Sequence, residues 1–268
     1  MMKILFTILM TLHIFSCYAE ITQVSSMEEV FKYFNDADAK TLVIFDVDMV
    51  LVQPSCPAFQ MANMKRFSPI CKRIMKEIPS DKQMLFLSLM TTSFDPVLID
   101  SHTPQRLQQI IHRKIPVMAL TANLTGSFGT IPKMQQWRVK ELRQLGIDFS
   151  QSAPWHAPLE FDELPSYRGN YSLYLDGILF VNGKVVSKGD AFLSFLKKTQ
   201  FIPNKVIFID DSEENLKSLE TAIQTMNRPV KYQGVHFLEA QKYPSKVISE
   251  KDFESQWQKL ASEAKELN

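Results

Sequence analysis

Charged and polar side chains stand at the ends of three apolar segments of this 268-residue chain. They are Asp46 and Asp48 after segment 41–45, Thr121 and Asn123 at the end of segment 116–121, Asp210 and Asp211 at the end of segment 205–210, and Lys188 before a later helical pattern, 189–199. If the three segments are parallel strands of one sheet, their carboxyl ends open on one crevice, where such sheets bind ligands. We therefore expect the four acids, the hydroxyl of Thr121 and the ammonium of Lys188 to meet.

The predicted cluster of acids is typical of a magnesium site. Asp46, Asp48 and the Asp210-Asp211 pair would crowd negative charge, which is unfavourable unless a cation lies among them. Oxygen ligands alone suit a hard ion, and Mg²⁺ is the natural choice. With Mg²⁺ and Lys188 present, the site can receive a phosphate group, and Thr121 can donate a hydrogen bond to one of its oxygens.

These side chains also suggest a reaction. Asp46 can attack phosphorus and form an aspartyl-phosphate. Asp48, two residues further on, is expected on the same side, where it can protonate the leaving oxygen and then activate water. Lys188 and the metal would stabilise the charge on the transferred group. Asn123 either orients the substrate or caps the loop that follows it.

Four motifs in this order resemble those of the haloacid dehalogenase superfamily, specifically its phosphatase branch. They are Asp46-Val47-Asp48-Met49-Val50 after an apolar segment, Thr121 at the end of the next, Lys188 ahead of a helix, and the acidic pair Asp210-Asp211. The resemblance covers residues 41–237 and implies a Rossmann-like core. An acid at position 48 indicates the phosphatases and mutases rather than the transport ATPases or the dehalogenases.

The resemblance further implies how the metal is held. Members of that superfamily bind Mg²⁺ through the nucleophile carboxylate, a main-chain carbonyl and an acid of the fourth motif. Here these are Asp46, the carbonyl of Asp48, and Asp211, with Asp210 in support. Two positions depart from the usual pattern: Val50 replaces the commoner Thr, and Asn215 stands where a further acid often follows. Segments 120–122, 145–149 and 177–180 also resemble a set of secreted bacterial proteins of this fold, which implies no substrate.

The elements that would position these residues alternate along the chain. Segments 41–45, 116–121, 205–210 and 230–237 are continuously apolar, as in strands buried on both faces of a parallel sheet. Helical patterns at 131–145, 189–199 and 213–226 fall between them. This alternation predicts an α/β fold with a Rossmann-like, doubly wound parallel sheet.

Two segments are too long to be simple connections in such a sheet. Residues 53–112 predict an inserted, mostly helical cap. Residues 146–187 predict a smaller insertion with a hairpin, in which 178–181 and 184–186 flank the turn Asn182-Gly183. Residues 250–267 predict a charged amphipathic helix. Substrate specificity is expected to lie in the two insertions.

Composition and charge exclude some classes of function. Lys and Arg number 30 against 29 Asp and Glu, so the net charge of +1 does not favour nucleic-acid binding. Arg138 and Arg143 are accordingly predicted to lie on solvated helix faces. With only 8 glycines, a Gly-rich nucleotide-binding loop is not expected.

Residues 1–19 predict an export signal. Lys3 precedes an apolar run, and small residues at positions 17 and 19 suit cleavage after Ala19. The expected product, residues 20–268, is periplasmic or secreted and has no membrane span; the alternative is a lipoprotein anchored through Cys17. Cys56 and Cys71 then remain, either as a disulfide or as separate buried thiols.

The sequence therefore leads to the hypothesis of an exported, Mg²⁺-dependent phosphohydrolase that acts on a small phosphate monoester through an aspartyl-phosphate. Two alternatives stay open. One is a secreted binding protein that keeps the site but has weak chemistry, which the long cap and Asn215 favour. The other is a phosphotransferase that uses the same residues. Neither the substrate nor the oligomeric state follows from the sequence.

Overall fold

The computed structural model describes residues 19–242 and 246–267. Its centre is an eight-stranded, mostly parallel sheet with helices on both sides, which confirms the predicted α/β, Rossmann-like fold class. A separate antiparallel pair of strands lies outside this sheet. The strands are β1 Ala19–Val24, β2 Thr41–Phe45, β3 Val52–Pro54, β4 Pro96–Leu98, β5 Val117–Thr121, β6 Leu159–Phe161, β7 Ser172–Leu175, β8 Ile178–Phe180, β9 Lys205–Asp210 and β10 Lys231–Phe237.

Helices cover both faces of the sheet and build a further layer above it. They are α1 Met27–Lys32, α2 Met61–Arg66, α3 Ser68–Glu77, α4 Gln83–Thr92, α5 Thr103–His112, α6 Met134–Gln144, α7 Lys188–Thr199, α8 Glu213–Gln224, α9 Glu239–Lys242 and α10 Glu250–Glu266. Among the described residues, none of these helices combines the length and apolar character that crossing a bilayer requires.

The central strands are apolar throughout because both of their faces are covered. In β2, Val43 and Phe45 belong to one core cluster, with side chains from α1, α5 and α6. Leu42 and Ile44, which alternate with them, belong to a second cluster with side chains from α7 and α8. Successive strand side chains point to opposite faces, so a sheet between two helix layers needs an apolar residue at every position.

The order of the strands brings the predicted site residues to one edge. The sheet runs β1-β10-β9-β2-β5-β8-β7-β6, so β2 lies between β9 and β5. Phe45 pairs with Ile209 of β9 and with Ala119 of β5, both in parallel. Asp46 therefore comes level with Asp210, and Thr121 ends the strand on the other side.

A helical layer, here termed the cap layer, consists of α2, α3, α4 and α10. Its core joins Phe59, Phe67 and Phe86 to Phe253 and Trp257 of the C-terminal helix. The Trp257 and Phe86 rings are 5.5 Å apart, and the Trp257 indole donates a 2.9 Å hydrogen bond to the carbonyl of Ala58. The predicted amphipathic helix at the end of the chain is thus a structural part of this layer.

The segment predicted as the cap, 53–112, contributes to both the cap layer and the core of the sheet. Strands β3 and β4 pair with each other in antiparallel orientation, and the helices between them belong to the cap layer. Helix α5 instead places Leu107 and Ile110 in the core of the sheet. Cys56 and Cys71 pack against the cap layer as free thiols, and burial raises the pKa of Cys71 to about 11.

The prediction of a hairpin at 178–186 that turns at Asn182-Gly183 is wrong. Strand β8 pairs with β7, which precedes it, through the turn Asp176-Gly177. Both turn residues have positive φ, 49° and 82°, as a two-residue hairpin turn of the favoured kind requires. Asn182 is buried instead and accepts a 2.7 Å hydrogen bond from the Thr125 N–H, which ties it to the loop after β5. Segment 146–187 thereby extends the central sheet with β6, β7 and β8.

The predicted export signal falls almost entirely outside the described residues. Positions 1–18, including Cys17, are not described, and the structure begins with β1 at Ala19. This strand pairs in parallel with β10 at one edge of the sheet.

Candidate active site

Asp46 is held at the carboxyl end of β2 by the neighbouring strand. Its N–H donates a 2.8 Å hydrogen bond to the carbonyl of Ile209 in β9, which continues the ladder by one residue. The side chain is 9% exposed, and its Oδ1 accepts a 2.8 Å hydrogen bond from the Val47 N–H. The chain then turns sharply through Met49, whose φ of 63° is left-handed, and returns as β3.

Lys188 lies at the start of α7, and its side chain reaches two of the carboxylates. Ser187 caps the helix by accepting a hydrogen bond from the Asp190 N–H, which sets the direction in which Lys188 leaves the first turn. The Lys188 Nζ is 2.8 Å from Oδ1 of Asp46 and 2.6 Å from Oδ2 of Asp210. Burial by itself would lower the pKa of Lys188, but the carboxylates of Asp210 and Asp46 raise it.

Asp210 is fully buried and engaged by protein donors. Its Oδ1 accepts hydrogen bonds of 2.8 Å from the Ser212 N–H and 3.0 Å from the Asn215 amide, while its Oδ2 meets Lys188. Asp210 therefore orients Lys188. This contact explains why an amide suits position 215. The Asn215 amide can donate to Asp210, whereas a carboxylate at that position would repel it.

Asp46, Asp210 and Asp211 form a compact acidic cluster. Each offers a carboxylate oxygen that lies within 4.8 Å of the others. Burial, with the charge of Asp210 added to it, raises the pKa of Asp46 well above its usual value. The same two causes raise the pKa of Asp211 to about 6. Buried carboxylates that resist ionisation when alone are stabilised by a cation, and a set of oxygen donors suits Mg²⁺.

Asp211 has two neighbours that the sequence did not single out. The Gln241 side chain of α9 donates a 3.0 Å hydrogen bond to Oδ2 of Asp211 and a further one to its carbonyl. The same carbonyl is 3.1 Å from Nε2 of His236. On its other side, Gln241 accepts a hydrogen bond from Lys65 of α2. No motif marks Gln241, because its position beside Asp211 depends on the path of the chain after β10.

Asp48 does not join the acidic cluster of Asp46, Asp210 and Asp211. Its Oδ1 is 2.8 Å from Nη2 of Arg138, and its Oδ2 accepts a 2.8 Å hydrogen bond from the Asn123 amide. Arg138 Nε donates a 3.0 Å hydrogen bond to Oδ1 of Asn123, which closes the triangle. The side chain of Asp48 stays 41% exposed, so it faces the space above the strands.

The prediction that Arg138 lies on a solvated helix face is wrong, although it holds for Arg143. The Arg138 side chain is 3% exposed, and it also pairs with Glu141 one turn along α6. Burial raises the pKa of Glu141 to about 7, although the charge of Arg138 opposes that shift. A basic residue with an acid three positions later is a common surface pattern, so the sequence carries no sign that this pair faces the site.

Thr121 ends β5 and Asn123 follows it, and of the two Asn123 is the residue with a hydrogen bond to an acid in the structure described. Thr121 is 1% exposed at the end of β5, and its hydroxyl oxygen accepts a 3.2 Å hydrogen bond from the Asn123 N–H. Asn123, which the sequence left between two roles, contacts both Asp48 and Arg138 through its amide. The structure thus brings Lys188 into contact with Asp46 and Asp210 and places a carboxylate oxygen of Asp211 within 4.8 Å of both acids. Asp48 and Asn123 form a second group with Arg138.

A cavity of about 440 Å³ opens above this second group. Asp48, Asn123, Arg138 and Glu141 form its polar end, and side chains of the cap layer, of β3 and of the loop after β5 form much of the rest. The exposed face of Asp48 therefore opens on this cavity.

The comparisons with known proteins place the whole site within one family. The family model described as a protein of unknown function, DUF2608, matches residues 23–267. The chain belongs to the DUF2608 family. The matched residues contain every element from α1 to α10, and they include the acidic cluster, Lys188 and Arg138 of this chain.

Similar proteins occur in Rickettsia and are described as uncharacterized. A protein of Rickettsia prowazekii is 29% identical over 230 residues, which cover 82% of this chain and 76% of the relative. A protein of Rickettsia bellii is 26% identical over 228 residues, covering 82% and 77%. A protein of Rickettsia conorii is 27% identical over 229 residues, with the same coverage of 82% and 77%.

Proposed function

We propose that this DUF2608 protein is an exported, Mg²⁺-dependent phosphohydrolase that cleaves a phosphate monoester through an aspartyl-phosphate on Asp46. One observation carries the proposal: a single buried ammonium, that of Lys188, contacts both Asp46 and Asp210, while Asp211 completes a three-carboxylate cluster. A strongly acidic site with one fixed cation suits an anionic substrate only when a metal balances the remaining charge.

The donor set fits magnesium. Asp46 and Asp211 would supply carboxylate oxygens and Asp48 its main-chain carbonyl, as in the haloacid dehalogenase phosphatases that the motifs resemble. Asp210 would act behind them, since its two oxygens already accept from Lys188, Ser212 and Asn215. When bound, the ion would supply positive charge for the phosphate oxygens.

The residues of the chain then divide the reaction between them. A carboxylate oxygen of Asp46 attacks phosphorus, and the bond from phosphorus to the ester oxygen breaks. The leaving oxygen takes a proton from Asp48. In the second half, Asp48 takes a proton from water, the resulting hydroxide attacks phosphorus, and the bond from Asp46 to phosphorus breaks to give inorganic phosphate. Lys188 stabilises the charge on the transferred group in both halves.

The test is release of phosphate from 4-nitrophenyl phosphate by the protein without residues 1–19, with and without Mg²⁺. We expect release that depends on the metal and is abolished in Asp46→Asn, with an unchanged far-ultraviolet circular dichroism spectrum. Asp81→Asn, at an exposed acid near the start of α4, is the matched control and should behave as wild type. Normal turnover by Asp46→Asn would contradict the proposed mechanism.

Mg²⁺ binding measured by calorimetry distinguishes the remaining outcomes. Asp211→Asn should weaken binding, since it removes one of the oxygens of the cluster. Metal binding without any phosphate release would favour the binding protein over the enzyme. An added alcohol that raises the rate of product formation and takes up phosphate would favour the phosphotransferase.

A further inference from the structure

The cavity above Asp48 is polar at one end and mostly apolar elsewhere, with Gln53 and Thr91 as polar side chains in the rest of its lining. Its polar end consists of Asp48, Asn123, Arg138 and Glu141, with the exposed Lys184 at the mouth. The opposite wall belongs to the cap layer and includes Phe59, Met64, Met84, Leu87, Met90 and Phe94. At about 440 Å³, it lies in the size range of pockets that enclose a small ligand.

Helix α4 supplies this wall because its apolar surface is wide. Phe86 and Leu89 belong to the core of the cap layer, where Phe86 packs on Trp257. Met84, Leu87 and Met90, spaced three residues apart, stay partly exposed and line the cavity, and Leu87 and Met90 also pack against the edge of that core. The apolar surface of α4 is therefore wider than its packing in the cap layer requires, and the extra width lines the space above Asp48.

The wall is tied to the loop after β5. The Thr130 N–H donates a 2.9 Å hydrogen bond to the hydroxyl of Ser88 in α4. Gly129 comes so close that a Cβ atom there would lie 2.0 Å from that hydroxyl. The close approach holds Phe128 in the lining of the cavity, so the enclosure is built by specific contacts and is not a loose gap between two layers.

We propose that this cavity binds the leaving group of the substrate, and that the leaving group is a bulky apolar one such as an arylalkyl alcohol. The inference rests on the proposed phosphohydrolase function. Asp48, which would protonate the leaving oxygen, lines the cavity, so the leaving group starts at the polar end and extends towards the cap layer. A sugar or another polyol could bond to Gln53 or Thr91, but it would place its other hydroxyls against Met and Phe side chains without hydrogen-bond partners, which is unfavourable. Flexible methionines adapt to an apolar ligand and make favourable contacts with aromatic rings.

The test compares two esters whose leaving groups have similar intrinsic reactivity. Phosphate release from 2-phenylethyl phosphate and from glycerol 1-phosphate is measured with Mg²⁺, since both release a primary alcohol. We expect kcat/KM to be at least about tenfold higher for the phenylethyl ester. Met84→Gln should lower that ratio several-fold. Met226→Gln, at a methionine that packs against the opposite face of the sheet, is the matched control and should leave it unchanged.

A second readout needs no turnover. Titration of 2-naphthol by its own fluorescence should show binding to wild type and to Asp46→Asn, and weaker binding to Met84→Gln. Equal kcat/KM for the two esters, or naphthol binding that Met84→Gln leaves unchanged, would overturn the apolar leaving group while the phosphohydrolase stands. No phosphate from either ester, with naphthol still bound, would instead overturn the proposed function.

Discussion

Nη2 of Arg138 lies 2.8 Å from Oδ1 of Asp48, although 90 positions separate the two residues. The arginine side chain is buried and the aspartate side chain is partly exposed, so the buried guanidinium holds the accessible carboxylate in place. Asn123 bonds to both of them and fixes the plane of the carboxylate. In the proposed mechanism this arrangement sets the direction from which Asp48 meets the leaving oxygen.

Removal of Arg138 should lower turnover more than substrate binding. Because a lone Glu141 carboxylate would be left buried, the variant to compare is Arg138→Met with Glu141→Gln, against Glu141→Gln alone. We expect kcat to fall by about 100-fold with a small change in KM, since Asp48 would lose its alignment. Steady-state phosphate release provides the measurement.

Two further variants separate positioning by Arg138 from a general structural effect. Arg143→Met, on the same helix but 43% exposed, should leave kcat unchanged. Arg138→Lys should recover only part of the activity, because an ammonium cannot hold Asp48, Asn123 and Glu141 in one plane. Equal losses of kcat in Arg138→Met/Glu141→Gln and Arg143→Met would contradict a positioning role.

Lys188→Met should remove activity and also destabilise the fold. It leaves the buried carboxylates of Asp46 and Asp210 without their shared partner, at a cost of about 3–5 kcal/mol in the free energy of unfolding. The loss of charge beside the transferred phosphate should lower kcat by about 1,000-fold. Urea denaturation and phosphate release at 20 °C measure the two effects separately. Lys197→Met, at an exposed lysine on the same helix, should change neither, and a fully active Lys188→Met would refute the assigned role.

Trp257→Ala should show that the C-terminal helix supports the cap layer. The indole packs on Phe59, Phe86 and Phe253 and donates to the Ala58 carbonyl. Truncation of such a buried aromatic side chain costs about 3–5 kcal/mol of unfolding free energy. Chemical denaturation measures this loss, and Lys259→Ala at an exposed position of α10 is the control. A loss no larger than that of the control would mean that α10 is dispensable to the layer.

The pH dependence of the unfolding free energy should report the protonation of Glu141. Burial raises its pKa from 4.5 to about 7 in the folded protein, so the folded state keeps a proton that the unfolded chain releases. Stability conferred by that proton is complete below pH 4.5 and is lost as the pH rises through 7. Glu141→Gln should therefore match wild type near pH 5 and exceed its unfolding free energy by about 2 kcal/mol at pH 8. Denaturation at both pH values, beside the exposed Glu214→Gln, tests the sign; a variant less stable at pH 8 would contradict it.

The contacts of the acidic cluster could be predicted from the sequence, whereas those of Arg138 could not. Asp46, Asp210 and Lys188 each stand at the end of a strand or the start of a helix, and parallel strands bring such ends together. Arg138 lies within α6, where the local pattern of charges looks like an ordinary surface. Its burial depends on how α6 crosses the sheet beside the loop that carries Asn123 and on the turn that carries Asp48, and both are tertiary relationships.

The two Gly-containing turns show the same limit at short range. Asn182-Gly183 and Asp176-Gly177 are both good hairpin turns by residue type. Only Asp176-Gly177 has a strand on each side that pairs, because Asn182 is drawn inward to bond with Thr125 of another loop. The choice depends on a partner 57 positions away, which a local pattern does not contain.

The sequence by itself determined the α/β class, the central strands and the residues at their carboxyl ends, because unbroken apolar segments alternate with helical patterns and can be buried in few ways. Tertiary structure alone decided which face of α4 remains open, that α10 joins the cap layer, and that Arg138 and Gln241 reach the site. These features depend on how preformed elements pack against one another, and many packings satisfy the same local pattern of apolar and polar residues.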